Sequence, residues 1–148
     1  MLPPAVNLIK IAAMSTGLYI LFFQVRCSKN SLSGKGGYMI KVSLIFFAIA
    51  AFGGLTLLAL RLKNKTIPMG LAILHGLFAA TGLGILIIAA LTAAAAVTLP
   101  IILFVVAVLG GFLLFSFHVR GRQIPVPFAL IHGAVAVVAF VILLRGVI

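Results

Sequence analysis

Gly53-Gly54 … Arg61-Leu62-Lys63-Asn64-Lys65-Thr66-Ile67-Pro68 … Ala72 … His75-Gly76 is a pattern that this chain contains twice. It returns 57 positions later as Gly110-Gly111 … His118-Val119-Arg120-Gly121-Arg122-Gln123-Ile124-Pro125 … Ala129 … His132-Gly133. Each copy links two apolar runs through a short basic turn. Each opens its second run with Ile-Pro and sets a His-Gly pair seven residues after the proline. Proline belongs in the first turn of a helix, where its missing N–H leaves no hydrogen bond unmade. The pattern therefore predicts a helical hairpin made twice, with repeats over about 42–91 and 100–148.

The solvent follows from composition. The chain is 65% hydrophobic and its mean hydropathy is +1.43, which predicts an integral membrane protein. Five apolar runs can be drawn, over residues 3–25, 42–60, 67–91, 100–117 and 124–144. As helices they are roughly 27–37 Å long, enough for a hydrocarbon core of about 30 Å. None of the runs alternates, so strands are not expected. The expected architecture is all-α, one transmembrane domain over 1–148 with five spanning helices, or four if residues 3–25 lie along the interface. Residues 1–25 also match the third run at an offset of 65: Pro3 with Pro68, and Thr16-Gly17-Leu18 with Thr81-Gly82-Leu83. That alignment makes them an extra half-repeat with Lys10 in the place of His75. Residues 26–41, holding Ser, Gly, Arg26, Lys29, Lys35 and Lys41, read as a flexible surface loop.

Charge excludes more than any motif does. There are 11 Lys and Arg and no Asp or Glu. Two-carboxylate hydrolysis, carboxylate-held Mg or Ca, acid-based proton relays and a Ser-His-Asp triad cannot be assembled from this chain alone. No catalytic residue is expected. The bases sit at the ends of apolar runs, which points to anionic lipid headgroups or acidic neighbouring subunits as partners, and away from nucleic acid. Arg26, Lys29, Lys35, Lys41 and Arg145 fall on one side, and Arg61, Lys63, Lys65, Arg120 and Arg122 on the other. Five against five leaves orientation undecided. The single cysteine, Cys27, forms no intramolecular disulfide.

His75 and His132 carry the functional reading. Each lies seven residues past its proline, roughly 10 Å inside its helix and at matching depth. A partnerless imidazole in hydrocarbon is costly, so each must bond or ligate something. On the histidine face, Ala79 and Gly82 follow His75, and Ala136 and Ala139 follow His132. Small residues there leave clearance for a flat macrocycle. Haem b suits the set: its iron takes two neutral imidazoles, its ring is apolar, and its propionates are anionic. The nearby bases Arg61, Lys63, Lys65, Arg120 and Arg122 would receive those propionates. The plainer reading makes both histidines interhelical hydrogen-bond residues, bonding Ser, Thr or a backbone carbonyl. Zinc or copper wants more ligands than two, and His118 lies near a helix end, aligned with Arg61 of the first copy.

The sequence thus predicts a small membrane subunit that carries a bis-histidine b-type haem, with iron on His75 and His132. It would move electrons within a larger respiratory or redox complex, in an energy-transducing inner or cytoplasmic membrane, with quinone as a possible partner. The alternative is a cofactor-free accessory subunit that binds lipid and neighbouring helices. A transporter fits poorly, since midplane substrate sites usually employ acids that this chain lacks.

Overall fold

In a computed structural model the described residues are 34–93 and 97–147, and all of their regular structure is helical. There are four helices: α1 (Lys35–Leu62), α2 (Met69–Ala93), α3 (Thr98–Val119) and α4 (Val126–Arg145). Each is long and apolar enough to cross a membrane. Residues 3–25, with Lys10, and Cys27 lie outside the described residues, and with them the expected fifth span.

Helix starts and stops follow local chemistry. α1 ends in a tight turn in which Lys65 N–H donates to the Leu60 carbonyl (2.9 Å) and Asn64 N–H to that of Arg61 (3.1 Å). α3 ends in the same way: Arg122 N–H reaches the Phe117 carbonyl (2.9 Å) and Gly121 N–H that of His118 (3.1 Å). This bonding needs a left-handed residue just past the helix. Asn64 (φ 52°) and Gly121 (φ 63°) supply it, one in each turn. After three intervening residues a proline opens the next helix. Pro68 and Pro125 offer their carbonyls to Ala72 and Ala129, at 3.3 Å each.

One expected boundary is wrong. Residues 35–41 are the first two turns of α1 and belong to no loop. Gly36, Gly37 and Ile40 are buried there, so packing holds a segment that local propensity reads as a break. The glycines that signal a loop in isolation permit close contact in the bundle.

The helices form a four-cornered bundle. α1 packs on α2, α2 on α3, α3 on α4, and α4 back on α1, which leaves α1/α3 and α2/α4 as diagonals. The core comprises Ile40, Leu44, Phe47, Leu83, Leu86, Ala89, Val97, Phe104, Ala139 and Leu143. Its centre is a stack of Phe47 on Phe104, with ring centroids 3.8 Å apart and planes 4° from parallel. Large apolar side chains cover the outside, among them Phe52 (75% exposed) and Leu91 (81%). Such a surface suits lipid and would aggregate in water.

A pair of histidines at the centre of the open half

Four hydroxyl side chains of these helices bond within their own helix. Thr56, Thr81 and Thr92 each donate to the carbonyl four residues back, and Ser43 to the carbonyl three back. The two intramembrane histidines do otherwise. His75 on α2 reaches to α1, where its Nδ1 lies 2.8 Å from the Ala50 carbonyl oxygen. His132 on α4 reaches to α3, where its Nδ1 lies 2.8 Å from the Ala107 carbonyl oxygen. The sequence separation is 25 residues in both cases.

A carbonyl only accepts, so each Nδ1 carries the proton and donates. In a neutral imidazole that fixes the tautomer and leaves Nε2 bare, with its lone pair available. No donor among the described residues reaches either Nε2. Two rings in this state cannot hydrogen-bond to each other, because both free nitrogens are acceptors. Yet they are neighbours. From diagonal helices the rings meet with centroids 6.3 Å apart and planes at 81°.

The glycine pairs explain why the histidines sit where they do. In a helix the side chain at position i+4 leans back over the carbonyl of position i. Glycine at 54 and at 111 therefore leaves the Ala50 and Ala107 carbonyls uncovered for the incoming imidazoles. A Cβ at Gly54 would stand 2.9 Å from Cε1 of His75, a distance real Cβ atoms do not keep. A Cβ at Gly111 would stand 3.2 Å from Cε1 of His132. Gly53 and Gly110 flank the same rings: a Cβ added there would stand 3.4 Å from Cβ of His75 and 3.5 Å from Nδ1 of His132. Each Gly-Gly pair is a seat for the histidine of the following helix.

The remaining expected residues divide. Ala79 and Ala136 are half-buried, one turn beyond the histidines. Gly82 and Ala139 do not leave clearance. Gly82 is filled by Phe46 and Phe47, whose nearest atoms stand 3.2 Å from where its Cβ would be, and Ala139 is wholly buried in the core. The bases of the two turns lie at one end of the bundle. Arg61 Nε donates to the Ile124 carbonyl (2.7 Å), tying the first turn to the second, and its guanidinium also meets Oδ1 of Asn64 (3.3 Å). Arg61, Lys65, His118 and Arg122 line an open cleft of ≈ 440 Å³ between the turns, together with Ile67, Gln123 and Ile124. Lys63 and Arg120 are exposed and lie outside it.

Sequence reasoning missed Ala50 and Ala107. A signal was present: Ala-x-x-Gly-Gly occurs at 50–54 and at 107–111, 25 residues ahead of each histidine. Among the described residues no group of three His, Cys, Asp or Glu side chains is placed to hold a metal ion.

No protein-family model, curated protein or solved structure matches this chain.

Proposed function

We propose that the chain is a membrane electron-transfer subunit whose His75 and His132 are the axial ligands of one b-type haem. The observation that carries this reading is the ring pair itself. Two imidazoles on one metal, each bonded at about 2 Å through Nε2, have ring centres roughly 6.3 Å apart. The two rings stand 6.3 Å apart. Each presents a bare Nε2, because each Nδ1–H is already held by a carbonyl, which is how ligating histidines are usually oriented. Two unsatisfied acceptors in a hydrocarbon interior are costly, and a shared electrophile removes that cost.

The chain's own residues fit the rest of the group. Around the rings no described side chain from 51 to 81 or from 108 to 138 is buried. The turn at the near end carries Arg61, Lys63, Lys65, Arg120 and Arg122, whose charges complement carboxylates. A haem in this setting supplies one-electron redox chemistry. The protein's part is to present two neutral imidazoles, exclude water, and balance anionic edges with cations.

We further infer that the bundle arose from a duplicated hairpin, 42–91 and 100–148, with residues 1–25 as an added half-repeat and fifth span. The recurrence of one histidine-to-carbonyl contact at one spacing supports this. The absence of any acid in the chain favours a setting within a larger redox complex of an energy-transducing membrane, beside anionic lipid, acidic subunits and quinone.

One observation favours the cofactor-free accessory reading. Each Nδ1–H···O=C bond by itself pins α2 to α1, or α4 to α3, as an interhelical hydrogen bond does in any membrane bundle. The test is a pyridine haemochrome assay with reduced-minus-oxidised spectra on the purified protein or its complex. Haem that vanishes in His75→Ala and in His132→Ala upholds the cytochrome reading. A folded, haem-supplied preparation with no Soret band leaves the accessory reading.

A further inference from the structure

The imidazole planes are 81° apart, and both orientations are imposed by the same set of contacts. The χ2 torsion of a histidine is intrinsically soft, so neighbours decide how the ring is turned. Here the Nδ1–H bond to Ala50 or Ala107 fixes one edge of each ring. The bare backbone at Gly54 or Gly111 leaves room for the adjoining Cε1 on that same edge, which lies 2.9 Å or 3.2 Å from where a Cβ would stand. Turning either ring about its Nε2 bond would break the first contact and change the second.

We propose that the Ala50 and Ala107 carbonyls, with Gly54 and Gly111 against the rings, are positioning groups that hold the axial imidazoles of the haem site in nearly perpendicular planes. This rests on the bis-histidine reading above and adds a property that ligation alone does not require. An imidazole donates π density into the iron d orbital whose lobes stand perpendicular to its ring. Parallel rings act on one d orbital of the dxz/dyz pair and split it. Perpendicular rings act on one orbital each and leave the pair nearly equal. A low-spin ferric ion with a near-equal pair keeps a large orbital moment and becomes strongly anisotropic. Ring angle is thus a lever on the metal that the second shell controls.

The experiment is low-temperature EPR of the oxidised full-length protein, after its haem has been quantified by pyridine haemochrome. The expected spectrum is a lone, strongly low-field feature. The three resolved lines of a rhombic bis-imidazole haem are not expected. In Gly54→Ala and Gly111→Ala the new Cβ displaces an imidazole, and the low-field feature is lost to a rhombic spectrum while the optical bis-imidazole bands remain. A rhombic spectrum from the unaltered protein overturns the inference and leaves the haem reading standing. So does a low-field feature that both alanine variants keep at full haem content. If the variants fail to fold, the unaltered protein's spectrum alone decides. A haem-free preparation, recognised in the first assay, overturns both.

Discussion

The bundle has two unlike halves. Away from the turns, Ile40, Leu44, Leu86, Phe104 and Leu143 are buried and Phe47 stacks on Phe104. Near the turns lie the two histidines and five of the bases, and no described side chain from 51 to 81 or 108 to 138 is buried. The closed half is filled by side chains of complementary size. The open half is organised by contacts of another kind, imidazole to carbonyl and ring to glycine. On the proposed function, cohesion and haem binding are separated along the bundle axis, and substitutions in the two halves should fail in different ways.

The largest contrast lies between a histidine and a core leucine. His132→Ala is expected to lose haem completely in the haemochrome assay while the helical content by circular dichroism stays unchanged. Leu86→Ala, at a position with no exposure, is expected to keep its haem and lose stability. In lipid the cavity term is the part that survives, giving about 2 kcal/mol, the lower end for a buried leucine. Chemical denaturation in mixed micelles measures it. If both variants lose haem and stability together, the two halves are one cooperative unit and the separation is wrong.

Next come the glycine seats, which lie at the boundary between the halves. Orienting partners of a metal-bound histidine are worth about 10- to 100-fold in affinity. Gly54→Ala should weaken haem binding within that range, and Gly111→Ala should weaken it less. The reason is distance: the added Cβ meets His75 at 2.9 Å and His132 at 3.2 Å. Haem titration of the two apo variants checks the order. The reverse order would mean that the two seats are not equivalent in the way the matched spacing suggests.

How much of this was legible beforehand divides along the same line. The four described spans and the basic turns were readable, because each rests on local chemistry. Bases interrupt the apolar runs, and Pro68 and Pro125 begin the helices that follow. What was not readable depends on how helices face one another. Gly36 and Gly37 look like a loop and pack inside α1, and Gly82 looks like clearance and is filled by Phe46 and Phe47. A chain that is apolar on nearly every face carries no hydrophobic stripe to reveal its register. Only the polar exceptions, two imidazoles and the carbonyls they reach, mark which sides meet.

Arg61 tests whether the open half needs its end held shut. Its Nε–H bond to the Ile124 carbonyl joins the two turns. Position 118, which aligns with it, carries a histidine in the cleft with no such bond. Arg61→Gln removes the charged bond to the Ile124 carbonyl and the longer one to Asn64. At a half-buried site the loss should be about 1.5 kcal/mol, the lower end for a charged donor, in the same denaturation experiment. The loss should appear as lower stability with haem affinity within about twofold. A tenfold loss of haem would exceed what one exposed-end charge contributes and would make the tie between the turns part of what retains the group.

The smallest effect is expected where the charges are most exposed. Lys65 and Arg122 line the cleft between the turns, and both are open to solvent. An exposed ion pair contributes about 0.2–1 kcal/mol, so either residue can favour a propionate by at most about fivefold. Haem and its dimethyl ester separate this term from everything else, because they share iron, ring and axial chemistry and differ only in two carboxylates. The intact protein should prefer haem over the ester by a few-fold at low salt. Lys65→Gln and Arg122→Gln should each shrink that preference, and salt beyond about 0.15 M should shrink it further, since the Debye length is then about 8 Å or less. Affinity for the ester itself should not move. A preference that is absent from the start would assign these cations to lipid phosphates and leave the histidine site to hold its group by ligation and apolar contact alone.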